Sequence, residues 1–169
     1  VSTCFGSAST SAFRNAAEIA HVAGKKVALT LSDPFCVERH RDEFLELVKD
    51  HVDILFANEA EIRALYKVED YSTVQPHCEL AIVTRSEKGS VVIGRHGALD
   101  IPAEPVAKVV DTTGAGDAYA AGFLYGYTQG KPLAECGRIA SIVAAEIISH
   151  VGARPQSSLS QLLRDKKAA

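Results

Sequence analysis

Three short apolar runs, Val27–Leu31, Val52–Ala57 and Leu80–Thr84, constrain this chain more than any other feature, because amphipathic stretches separate them. A run that is apolar throughout suits a strand covered on both faces. Strands of that kind alternating with helices build a parallel sheet. Residues 11–23 place Phe13, Ala16, Ala17, Ala20 and Ala23 on one helical stripe, and Gly24 ends that helix as a left-handed cap. Ser32-Asp33-Pro34 breaks the first strand. The spacing predicts a second helix over 37–50, with Phe44, Leu45 and Val48 inward, then a short helix over Glu59–Tyr66 and a surface loop over 67–79. The pattern then changes. Ser90–Gly94 and Leu99–Ile101 flank Arg95–Ala98 as an antiparallel hairpin at the sheet edge. A small-residue helix follows Asp111–Asp117 to about Gln129, where Gly130 caps it. Pro132 opens the next helix, which runs to about His150; Gly152 closes it, and residues 157–168 form the last.

A chain of 169 residues fits one domain, since about 150 residues per domain is the usual expectation. Such a chain buries a sizeable core without disulfides or a structural metal. A net charge of −3 gives no reason to expect nucleic acid or an anionic membrane as partner. No apolar run approaches the roughly 18 residues of a membrane span, and no secretory leader is expected. Cys4, Cys36, Cys78 and Cys136 are far apart, form no C-x-x-C pair, and read as reduced thiols of a cytoplasmic protein. The chain holds no Met, so residue 1 is not a translation start and an upstream segment is expected to have been removed.

The chemistry concentrates in Asp111-Thr112-Thr113-Gly114-Ala115-Gly116-Asp117. Two glycines let the backbone turn tightly and approach a ligand. They stand where a helix begins, so the amides of Gly114, Ala115 and Gly116 are expected to point outward and receive an anion. Asp117 sits in the same turn, where a carboxylate repels that anion. Its simplest use is to take a proton from a hydroxyl attacking a phosphoryl group. No Lys-Ser/Thr follows the glycines, which excludes a P-loop, and Tyr119 stands where a dinucleotide fingerprint needs a small residue. A plain glycine turn, with Asp117 an ordinary helix N-terminal acid, is the other reading. The six histidines have no metal-ligand spacing. The mixed charges from Glu38 to Lys49 describe a solvated helix face.

Asp111–Ala118 as a whole resembles the signature of the PfkB or ribokinase family of carbohydrate and nucleoside kinases. Leu29–Phe35, Val52–Glu61 and Lys131–Cys136 most resemble its adenosine kinase branch. The resemblance implies a ribokinase-like three-layer α/β/α fold, with a mostly parallel central sheet and an antiparallel hairpin at one edge. It implies that Asp117 is the catalytic base and that the amides of Gly114, Ala115 and Gly116 form the anion hole. The family's Asn-x-x-Glu motif matches Asn58 to Glu61 and helps to hold Mg²⁺ and the phosphates of ATP, a role one carboxylate can fill because Mg²⁺ keeps several waters. A helix cap at Asn58 with Glu61 a solvated first-turn acid is the alternative there. Thr84 to Gly89 resembles the family's Thr-x-Gly-x-x-Gly nucleotide loop, although Ser86 replaces the first glycine; an ordinary turn between strands is the alternative. Ser141 matches a place that carries a polar contact to adenine, and helix packing explains so small a residue equally well. Asp111 and Thr113 match the ligands of a monovalent cation such as K⁺, to which Gly152 can add a backbone oxygen.

Members of the family are considerably longer, and the part preceding this region carries the acceptor pocket and a β-sheet lid. Residues 1–169 therefore resemble the C-terminal, ATP-binding part of a single kinase domain, in which the N-terminal part and the lid are absent. The implied reaction is transfer of the ATP γ-phosphate to a primary hydroxyl of an adenosine-like nucleoside or a sugar. A kinase of ribose or fructose phosphate, and a non-catalytic nucleotide-binding module, are the alternatives. A half-site without its acceptor pocket should be a poor catalyst, and its exposed apolar break favours association, including into a homodimer.

Overall fold

A computed structural model describes residues 7–69, 77–95 and 97–168. Cys4, residues 70–76 of the expected surface loop and His96 of the expected hairpin turn lie outside the described residues. The elements are α1 Ser7–Val22, β1 Ala28–Thr30, α2 Pro34–Arg39, α3 Arg41–Asp50, β2 Ile54–Asn58, α4 Glu59–Tyr66, β3 Leu80–Thr84, β4 Ser90–Gly94, β5 Gly97–Ile101, α5 Ala115–Thr128, α6 Leu133–Ile148 and α7 Leu159–Ala168, with a 3₁₀ turn at Ser86–Lys88. The strands lie in the order β1-β2-β3-β4-β5, and β1, β2 and β3 pair in parallel. The chain divides into two compact units, residues 1–85 with 91–98, and residues 86–90 with 99–169.

In the first unit the sheet is apolar on both faces, as its continuous runs require. Leu55, Ala57, Ala81 and Val83 join Val37, Phe44, Leu47, Val48, Ile62 and Leu65 in one buried cluster, while Ile54, Phe56 and Ile82 on the alternate positions are buried too. Each large side chain so buried contributes about 1.5–3 kcal/mol. The expected helix over 37–50 is two helices. Asp33 Oδ1 accepts the Phe35 amide at 2.9 Å and Pro34 fills the first turn, so α2 starts early. His40, at φ −121° and ψ 34°, leaves the helical region and separates α2 from α3. The stripe expected on α1 is buried only at Ala17, and Ile19 and Val22 are 71% and 91% exposed. β1, the outermost strand among the described residues, is exposed as well, at Ala28 and Thr30.

The second unit is built on close helix contact. A Cβ added at Gly122 would lie 2.8 Å from Ala140 Cα, and one at Gly126 3.0 Å from Cys136 Cα, so α5 and α6 meet backbone to backbone. Phe123, Ile139, Ile142 and Ile147 fill the remaining space. Gly130 ends α5 with its own amide on Tyr127 O and the Lys131 amide on Gly126 O, and Pro132 stands just ahead of α6. Val110 donates its amide to Ile148 O at 2.8 Å, which lays the entry to Asp111 alongside the exit of α6. Cys36, Cys78 and Cys136 are free thiols, and burial pushes Cys78 up to about 11. Among the described residues no helix is long and apolar enough to cross a membrane.

Candidate active site

Residues 111–117 form a corner held from beneath by one carboxylate. Asp111 Oδ1 accepts the Thr113 amide and Oδ2 the Gly152 amide, each at 2.9 Å. These donors, Gly152 first, favour the ionised form and lower Asp111 to about 2. Asp111, Thr113 and Gly152 are thereby brought together. Gly114 turns the chain at φ +79°, and a Cβ there would lie 2.5 Å from Ala153 Cβ, so the turn requires glycine.

At the start of α5 the Ala115 amide donates to Thr112 O at 3.1 Å, so it is not one of the outward donors expected from the sequence. Among the described residues no acceptor meets the amides of Gly114, Gly116 and Asp117. The open set thus differs from the expected set in one member, Asp117 in place of Ala115, because the turn closes on itself before the helix begins. Asp117's own amide was missed for that reason. Asp117 is exposed, and among the described residues its carboxylate has no partner. Two residues on, Tyr119 is buried and its hydroxyl lies 2.5 Å from Ser90 Oγ; burial raises this phenol and the Ser90 bond lowers it in part. The aromatic ring that breaks the dinucleotide fingerprint therefore anchors α5 just behind the corner.

The first unit gathers another group of expected residues at the carboxyl ends of its parallel strands, where ligands of α/β proteins bind. Asn58 and Thr84 are register partners on β2 and β3, and Thr84 Oγ1 donates to Ala57 O at 3.4 Å. Asn58 and Glu61 form a reciprocal capping box on α4: Asn58 Oδ1 accepts the Glu61 amide at 2.9 Å, Glu61 Oε2 accepts the Asn58 amide at 2.9 Å, and Glu61 Oε1 accepts Asn58 Nδ2 at 2.8 Å. The helix-cap alternative is thus structurally present at Asn58, but Glu61 is not solvated: it is 5% exposed. Burial raises its carboxyl, the Asn58 amide offsets this in part, and the negative charge of Asp33 adds to the rise.

Ser86 adopts φ +53°, the left-handed conformation its missing glycine would supply, and Gly89 adopts φ +82° with its amide on Ser86 O at 3.0 Å. The loop keeps a glycine-like path through a non-glycine residue. A Cβ at Gly89 would stand 2.1 Å from Ile101 O. Ser141 is buried and donates its hydroxyl to Pro102 O at 3.1 Å.

Among the described residues no group of three His, Cys, Asp or Glu side chains is placed to hold a metal. The site offers single carboxylates rather than a cluster of them. That suits Mg²⁺, which is usually held by one or two carboxylates and phosphates. Each Glu61 oxygen accepts one hydrogen bond and retains a lone pair for a metal-bound water. The Asp111 oxygens retain the same capacity beside Thr113 and Gly152.

The profile of the pfkB family carbohydrate kinases matches residues 4–160. The chain is 48% identical to an adenosine kinase from Sinorhizobium meliloti whose crystal structure superposes with a TM-score of 0.88, over 92% of this chain and 49% of that one. It is 41% identical over 116 residues to an uncharacterized sugar kinase of Archaeoglobus fulgidus, covering 65% of this chain and 45% of that protein. It is 35% identical over 138 residues to a cytidine kinase of Thermococcus kodakarensis, covering 76% of this chain and 49% of that protein. The chain spans about half the length of these relatives. The fold is the ribokinase-like α/β fold that the sequence implied.

Proposed function

The chain belongs to the pfkB family of carbohydrate kinases, and on that premise we propose that it is the ATP-handling part of a phosphotransferase acting on a primary hydroxyl of an adenosine-like nucleoside. One observation carries the reading: Asp117 is an exposed, unpartnered carboxylate in the first turn of α5, among the open amides of Gly114, Gly116 and Asp117. Asp117 takes the proton of the acceptor hydroxyl as the oxygen attacks the γ-phosphorus. The bond from the γ-phosphorus to the β–γ bridging oxygen breaks, ADP leaves, and the proton remains on Asp117 until solvent removes it. The open amides and the positive end of α5 stabilise charge developing on the transferred phosphoryl oxygens. Amides held in such a turn would need little reorganisation during transfer.

Asn58 and Glu61 would hold Mg²⁺ through its waters, and the ion supplies charge neutralisation to the ATP phosphates when bound. Thr84 and Gly89 would line the nucleotide. Asp111, with Thr113 and Gly152, would hold a monovalent cation such as K⁺. The hydroxyl of Ser141 already donates to Pro102 O and its oxygen meets the Tyr119 hydroxyl, so any adenine contact there would use the remaining lone pair of that oxygen. The named relatives support a nucleoside acceptor, since they include adenosine, cytidine and nucleoside kinases. The likeness to a sugar kinase supports a second reading, a sugar as acceptor. ADP release by the full-length protein should be measured with adenosine, cytidine, inosine, ribose and fructose 6-phosphate. Adenosine is expected to give the highest kcat/KM. A preference for ribose or fructose 6-phosphate overturns the nucleoside assignment, and ATP binding without acceptor-dependent release with any of them overturns the kinase.

A further inference from the structure

The corner at 111–117 does not stand alone: residues 150–157 lie against it, and the carboxylate of a single half-buried residue organises them. Gly152 donates to Asp111, and Ala153 fills the space that the missing side chain of Gly114 leaves. Both contacts depend on the path of the chain after α6. Glu146, in the last turn of α6 and with its side chain only 8% exposed, sets that path. Its Oε1 accepts the Gln156 amide at 2.9 Å, the Ser157 amide at 3.0 Å and Ser157 Oγ at 3.0 Å, while its Oε2 meets His150 Nε2 at 3.2 Å. His150 and Gln156 bracket Gly152 and Ala153, so one carboxylate pins both ends of the segment pressed on the corner. Burial opposes ionisation of Glu146, but these donors outweigh it and the group is lowered overall. Four donors on one carboxylate exceed what ending a helix requires, because Ser149 already returns its amide and hydroxyl to Glu146 O.

We propose that Glu146 is a positioning residue for phosphoryl transfer. Through the segment 150–157 it holds Gly152 on Asp111 and Ala153 on Gly114, and so fixes where the open amides and Asp117 stand. The catalytic consequence rests on the kinase reading given above; the structural consequence does not. A misplacement of about 1 Å at reacting groups can cost on the order of 100-fold in rate, so loss of Glu146 should appear in kcat more than in the KM for ATP.

The test uses the full-length protein with Glu146→Ala, Glu146→Gln and Ser157→Ala, alongside Asp117→Asn. Two quantities are read well below the melting temperature: steady-state kcat and KM, and amide hydrogen exchange at Gly152 and Thr113 with Ile82 as a reference. Glu146→Ala should lower kcat at least ~10-fold and speed exchange at Gly152 and Thr113 by a similar factor, leaving Ile82 unchanged. Glu146→Gln keeps an oxygen for the Gln156 and Ser157 donors and should recover most of both losses. Ser157→Ala removes one donor and should speed exchange at Gly152 by ~2- to 10-fold, which decides the matter if Glu146→Ala does not fold. Exchange at Gly152 and Thr113 equal to the parent in every variant that folds overturns the assignment. So does a fall in melting temperature with kcat and both amides unaffected. Full turnover in Asp117→Asn overturns the kinase reading and leaves the exchange result standing.

Discussion

The Asn58–Glu61 corner and the Asp111–Asp117 corner both open a helix and both contain a carboxylate bonded to the backbone. They dispose of their polar atoms in opposite ways. At the first, the Asn58 amide, both Asn58 side-chain atoms and both Glu61 oxygens are matched to one another. At the second, Asp111 is matched to Thr113 and Gly152, yet among the described residues three amides and the Asp117 carboxylate have no partner. A corner matched in this way is held rigid and offers outward only the spare lone pairs of Glu61. A corner with donors left over leaves room for water or a ligand, since unpaired backbone groups are tolerated only where one of these meets them. The two carboxyls also titrate in opposite senses: burial raises Glu61, and backbone donors lower Asp111.

The sharpest way to break this contrast is Asp117→Asn in the full-length protein. Turnover measured by ADP release should fall ~100- to 10,000-fold with ATP affinity within about twofold, and undiminished turnover would return Asp117 to an ordinary helix acid. Gly114→Ala attacks the same corner sterically, because the new methyl meets Ala153. Turnover should fall on the order of 100-fold, and denaturant melts should show a loss of ~1–3 kcal/mol from the strained left-handed residue. Equal stability would mean that the turn does not need glycine. At the closed corner the effects are smaller. Glu61→Gln removes the charge and keeps only one of the two acceptors that Asn58 uses, so the Mg²⁺ concentration for half-maximal rate should rise about 10-fold and the melting temperature should fall by a few degrees. An unaltered Mg²⁺ requirement would make the box purely structural.

The smallest effect is in pH. The Asp111 carboxyl is held at about 2 against an ordinary 3.8, so its bonds to Gly152 and Thr113 stabilise the fold fully above pH 3.8 and are lost as the pH falls through about 2. The stability difference between the parent and Asp111→Asn should therefore stay constant down to about pH 4 and close between there and pH 2. Glu61 runs the other way. Its folded carboxyl lies above 4.5, so the folded state binds that proton more tightly and gains stability as the pH falls into that window. Urea melts across the acid range that show both carboxyls moving stability in one direction would erase the contrast.

Much of this was legible in the residue order. The bounds of α4 and β3 match the expected ones because Asn58-x-x-Glu61 encodes a reciprocal cap and Leu80–Thr84 is apolar throughout. The break at His40 was not legible, since Val37 and Phe44 are seven residues apart and stay in helical phase across it. The exposure of Ile19 and Val22 on α1 was not legible either, since an apolar stripe marks a helix but not what covers it. At the site, the signature announced the corner but not which amides stay open; that follows from the Ala115 bond to Thr112. Glu146 looked like any helix acid, because its partners lie up to eleven residues onward in a segment of no repeating pattern.

The backbone contact of α5 with α6 through Gly122 and Gly126 has one more consequence. A helix seated that deeply cannot slide along its neighbour without forcing main chain into main chain, so α5 behaves as an anvil. On the proposed kinase reading, an acceptor alcohol would then have to be carried to Asp117 against a stationary block, and the work of alignment would fall on whatever approaches it.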